Sequence, residues 1–169
     1  ELARFARRMR TASRRWGKQP LRGIDGESLA DGFTEAYRRA RRAMPGRHRS
    51  GARKFHDWRK ATKSCGYQCR LLRATWPAVM KALGHTFSDL GDVLGAEHDL
   101  SMLRHYLKVP DHLATFRRSA AAGFGLVGQR RDELRRSALE IGRRLFADKP
   151  RVVRRRMTQW WRNPKAARK

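Results

Sequence analysis

Carboxylates are scarce in this chain: 15 Asp and Glu stand against 41 Lys and Arg in 169 residues, a formal net charge of +26. Between Ala36 and Ser88 only Asp57 is acidic, and from Lys149 onward there is no acid at all. No two acids stand in a convincing acid–base arrangement. Cysteine is nearly absent. Cys65 and Cys69 are the two present; they form no CxxC motif and no disulfide framework, and neither has an activating partner on its own helix face. Buried free thiols in a reducing, cytoplasmic setting are expected. There is no apolar run long enough to span a membrane and no signal-peptide core at the start. The Walker loop, GxSxG and GxGxxG are all missing. The first residue is not Met, so a piece of a longer protein is expected.

Hydrophobic residues make up 40% of the sequence, enough for a core. Their period is 3.6 nearly throughout, and no stretch alternates like a strand. The fold class expected is all-α, an antiparallel helical bundle, forming one helical domain over residues 1–169. A first helix runs over residues 1–16, with Leu2, Phe5, Met9 and Trp16 as candidate core. A loop follows at Gly17–Gly26. A second helix covers about 28–44 and ends at Pro45–Gly46, and a third spans 51–74. A fourth covers 77–107, where Gly84, Gly91 and Gly95 allow a kink or break. Val109–Pro110–Asp111 stops it. Further helices are expected at 111–126, 128–147 and 149–161, and a frayed basic tail at 163–169.

The third helix is the most informative element. At roughly 100° per residue, His56, Arg59, Lys60, Lys63, Tyr67 and Arg70 fall within an arc of about 100°. Trp58, Ala61, Thr62, Cys65, Cys69, Leu72 and Trp76 fall opposite. The first face holds only donors and positive charge, and like charges at i,i+4 repel. Ordinary surface faces mix signs. A single-sign face with donors rising about 5 Å per turn suits an extended polyanion, which would also stabilise the fold by binding it. A plain solvated face is the alternative. On the second helix Tyr37, Arg38 and Arg41 flank an apolar stripe, and antiparallel packing would turn Tyr37 and Arg41 toward the same groove.

Two His–Asp doublets, His56–Asp57 and His98–Asp99, invite a metallophosphohydrolase reading. Lys54, Arg59, Lys60 and Lys63 surround the first and oppose a dication, so no metal is expected. His98 and His105 are either groove donors or half-buried polar residues; His48, His85 and His112 lie near helix ends. Asp99 is expected to hold a basic donor in place. Trp160 and Trp161 in the basic tail either stack on bases or a lipid surface, or dock the last helix on the bundle.

FHDWRKATKSCGYQCRLL, followed by LGDVLGAEHDL and preceded by AYRRARRAM, resembles the CHAD domain, the conserved histidine α-helical domain. The resemblance is firm over residues 33–107. It implies a fold of two similar helical bundles around a basic groove, non-catalytic binding of inorganic polyphosphate, and association with polyphosphate granules. It implies phosphate contacts from His56, Arg59, Lys60, Lys63 and Arg70, with Tyr67, Tyr37 and Arg41, and an orienting role for Asp99. No cofactor is implied. The stretch before Phe33 holds no second His-x-x-Arg helix, so the resemblance is to the second repeat with flanking helices. A lost first repeat or a homodimer would supply the other wall. The alternative function is a nucleic-acid-binding basic module.

Overall fold

The computed structural model describes residues 2–17, 25–108 and 120–163. Among these residues six α-helices and one short 3₁₀ turn account for the regular structure, and the fold is an all-α bundle. The helices are α1 (Leu2–Gly17), α2 (Gly26–Ala43), α3 (Ala52–Leu71), α4 (Pro77–Tyr106), α5 (Ala120–Leu145) and α6 (Pro150–Arg162); the 3₁₀ turn Leu72–Ala74 follows α3.

Local chemistry sets the boundaries. The Asp25 side chain accepts from the Ser28 backbone N–H at 2.8 Å and caps α2, meeting one of the donors that a helix start leaves unpaired. Pro77 and Pro150 occupy first-turn positions of α4 and α6, where the missing N–H costs nothing.

The core forms where α2–α6 turn their apolar stripes inward. Phe33 and Ala40 of α2, Phe55, Trp58, Cys65 and Cys69 of α3, and Phe87, Leu90 and Leu94 of α4 are all buried. From α5 and the turn after it come Ala138, Leu139 and Phe146, and from α6 Val153 and Met157. Burying each large side chain contributes roughly 1.5–3 kcal/mol. The α6 helix docks on α2 through ion pairs of Arg154 with Asp31 and of Arg162 with Glu27. Trp160 meets Trp76 edge-on, with ring centroids 5.2 Å apart, and the Trp161 indole lies against Gly26. Both tryptophans are thus placed on the bundle.

Three sequence expectations change. Phe5 and Met9 are 62% and 55% exposed, so the stripe of α1 is not core; the side chains of Leu2 and Trp16 lie outside the described residues. The glycines of α4 neither break nor interrupt it, since the helix is continuous over its full length. Helices expected on either side of Val127 are one helix, α5. A lone glycine costs a helix only about 1 kcal/mol, and no proline supports a break at either place. The expected loop over residues 18–24, the stop and helix start over 109–119, and the tail 164–169 lie outside the described residues.

Candidate functional site

The site begins with how closely α3 and α4 approach. Gly84, Ser88, Gly91 and Gly95 recur at intervals of four, three and four, which places them on one face of α4. A Cβ on Gly84 would stand 3.5 Å from Cys69 Cβ, one on Gly91 3.8 Å from Lys63 Cγ, and one on Gly95 3.6 Å from Arg59 Nε. Partners descend along α3 as they ascend along α4, so the two helices run antiparallel. The absent side chains leave an open groove of about 250 Å³. Arg59, Lys63, Tyr67 and Arg70 form one wall, and Gly84, Ser88, Gly91 and Asp92 the other. Phe87, almost wholly buried, closes the floor. The glycine face was read from sequence as a weak point of α4; its spacing was the signal for a groove wall.

The opposite face of α3 is packed. Trp58, Thr62, Cys65, Cys69 and Leu72 are all buried, which fixes the rotation of the helix and turns the cations outward. Arg70 lies over the Tyr67 ring, 5.9 Å from its centroid, a cation–π contact that orders both groups.

His56 and His98 meet across the seam beyond this groove, with ring centroids 4.6 Å apart. His56 Nδ1 and Arg59 Nε are buried and have no hydrogen-bond partner among the described residues. Buried polar atoms without partners are costly, and these two belong to the same face of α3. Lys60 is directed elsewhere: its Nζ is 3.0 Å from Asp57 Oδ1, and it does not line the groove. The hydrogen bond from Lys60 holds the Asp57 carboxyl below the usual carboxylate range.

The α2 residues are elsewhere too. Tyr37 is buried, its hydroxyl donating to Asp148 O at 3.0 Å and more weakly to Leu145 O at 3.4 Å. Arg41 Nε donates to Phe146 O at 2.9 Å. Arg38 pairs with Glu35. Tyr37 and Arg41 therefore satisfy carbonyls around the end of α5, groups a helix terminus leaves without intrahelical donors. The expectation that they face the groove of His56 and Lys63 is corrected: the C-terminal end of α5 occupies that side of α2.

Asp99 is also corrected. It is exposed and forms no hydrogen bond or ion pair among the described residues. The acid of α4 that holds basic side chains is Glu97, 1% exposed. Its Oε1 accepts from Arg131 Nη2 at 2.8 Å and lies 2.7 Å from Arg135 Nη2. Two residues apart on a helix means about 200° apart in direction. Asp99 points out while Glu97 follows Leu90 and Leu94 inward, toward α5. That i, i+4, i+7 spacing was the available signal.

Among the described residues no group of three or more His, Cys, Asp or Glu is placed to hold a metal ion. Burial pushes the Cys65 and Cys69 thiols up to about 12, far from a reactive thiolate. No described helix is long and apolar enough to cross a membrane.

The family model of the CHAD domain matches residues 1–108. The chain belongs to the CHAD-domain family. The match takes in α1–α4, and with them the basic groove. It ends before α5 and α6, which nevertheless complete the core of this CHAD domain. No curated protein and no solved structure gives a match. CHAD domains are linked in general with polyphosphate binding.

Proposed function

We propose that this CHAD domain is a non-catalytic module that binds inorganic polyphosphate along the groove between α3 and α4. One observation carries the reading: Arg59, Lys63, Tyr67 and Arg70 line a single open groove whose opposite wall carries only the short side chains of Ser88 and Asp92. Donors in a row against a smooth wall suit a linear, repeating anion. Trp160 packs on the bundle, but the Tyr67 ring is exposed in the groove and offers a base a stacking face, so competition between polyphosphate and DNA decides between the two ligands. Such a ligand would place the protein with polyphosphate granules in the cytoplasm.

The test is a titration with long-chain polyphosphate at several salt concentrations. Affinity falls steeply with salt, with a log–log slope of about −0.7 or more per phosphate neutralised. Lys63→Glu and Arg70→Glu each abolish binding while far-UV circular dichroism stays unchanged. Unchanged affinity in both variants, or displacement of polyphosphate by duplex DNA at equal phosphate and salt, overturns the reading.

A further inference from the structure

A second cavity, of about 370 Å³, opens at the end of the bundle where α3 begins and α4 finishes. It shares no lining residue with the groove. Arg49, Arg104, His105, Lys108, Arg131 and Arg135 line it, together with Gly51 and Ala52 at the start of α3. No carboxylate, Phe, Tyr or Trp is among the lining residues.

Part of this charge has an internal purpose. Arg104 and His105 lie in the last turn of α4, where cations offset the helix dipole. Arg49 lies outside any helix, Lys108 directly follows the α4 C-cap, and neither forms an ion pair among the described residues. Arg131 and Arg135 are both 7% exposed, and Glu97 is the one carboxylate they share. Two guanidinium groups against one carboxylate leave a net positive charge in a desolvated position. Arg135 is fixed further, donating to His48 O at 3.2 Å and lying over the Phe55 ring at 4.6 Å. Arg131 also donates to the Ser101 hydroxyl at 3.2 Å. These buried cations are rigid, and rigid donors lose little entropy when they meet an anion. The α3 N-terminus adds to them: Gly51 provides no side-chain cap, and uncapped first-turn N–H groups attract negative charge.

We infer that this cavity is a second anion site, and that it takes a compact, multiply charged phosphate. Donors converge on it from three helices and their adjoining segments, whereas those of the groove stand in a row. Convergence selects a short anion such as tripolyphosphate, and the lack of aromatic lining selects against a base-bearing ligand. The inference does not depend on what occupies the groove.

The experiment is calorimetric titration of the whole chain with tripolyphosphate. The expected stoichiometry is two per chain, and Arg104→Ala/Lys108→Ala removes the bundle-end site while Lys63→Glu/Arg70→Glu removes the other. Arg49→Ala alone weakens the bundle-end site about tenfold, the effect of losing one charge-assisted hydrogen bond. Arg104→Lys/Lys108→Arg retains it. Circular dichroism and thermal midpoint are measured for every variant. A single wild-type site lost in Arg104→Ala/Lys108→Ala would support the bundle-end site and count against the groove. Unchanged stoichiometry and affinity in that variant, or complete loss of binding in Lys63→Glu/Arg70→Glu, would overturn the inference.

Discussion

Trp58 lies so close over Gly142 that a Cβ on this glycine would stand 2.5 Å from Cζ2 and 2.7 Å from Cη2 of the indole. The indole is wholly buried and Met44 closes the third side, so it has nowhere to move. Gly142→Ala therefore lowers stability, because overpacking of about 1–3 kcal/mol exceeds the roughly 1 kcal/mol gain in helix propensity. Gly125→Ala on the same helix meets nothing within 4 Å and raises stability by up to about 1 kcal/mol. Urea unfolding of the two variants should move the midpoint in opposite directions.

The buried triad gives a sharper contrast. Glu97→Gln leaves Arg131 and Arg135 buried without their carboxylate and costs about 3–5 kcal/mol. Replacing all three together, Glu97→Leu with Arg131→Met and Arg135→Met, restores stability to within about 1 kcal/mol of wild type or exceeds it. Equilibrium denaturation of both proteins checks the pair. A triple variant as unstable as Glu97→Gln would mean that the triad stabilises the fold through more than mutual compensation.

Groove shape and groove charge can be changed separately. A Cβ at Gly91 makes only ordinary contact with Lys63, so Gly91→Leu keeps a thermal midpoint near wild type while its longer side chain fills the groove. Polyphosphate affinity then drops by tenfold or more. Asp92 is the one carboxylate lining the groove. Asp92→Asn removes its repulsion and strengthens binding by about two- to fivefold at low salt, equivalent to ~0.5–1 kcal/mol, and the gain disappears as salt screens it.

Titration behaviour follows from burial. The Cys65 and Cys69 thiols, pushed up to about 12, react with a thiol reagent at pH 8 only as fast as the fold opens, and a saturating ligand slows the reaction further. Burial, reinforced by the nearby Asp148 charge, pushes the Tyr37 hydroxyl up to about 12 from its ordinary 10. A raised folded value means that this stabilisation is complete below pH 10 and is lost as pH rises toward 12. Between pH 9 and 11.5 the denaturation midpoint of wild type falls more steeply than that of Tyr37→Phe.

The two faces of α3 were legible because both arise from one periodicity within a single helix. Trp58, Thr62 and Cys65 pack inward, and Arg59, Lys63 and Tyr67 line the groove. What escaped the sequence depends on which element comes to lie alongside. Tyr37 and Arg41 form the same kind of Tyr–Arg cluster as the α3 face. Only the arrival of the end of α5 makes them partners for carbonyls. Glu97 and Asp99 are equivalent in composition, and the packing of α5 against one side of α4 separates them. The exposure of Phe5 and Met9 has the same origin: their spacing defines an apolar stripe but cannot name the surface that covers it.

The glycine wall of α4 carries one more consequence. Only the short side chains of Ser88 and Asp92 project from this wall, so a repeating ligand lying along it would find several alignments of similar energy. Their number grows with the length of the ligand, and with it the statistical weight of the bound state. Sliding from one alignment to the next requires no large rearrangement of the wall. If polyphosphate is the occupant, long chains would thereby be favoured over short ones without any element that measures length, and the bound polymer would be free to creep along the groove.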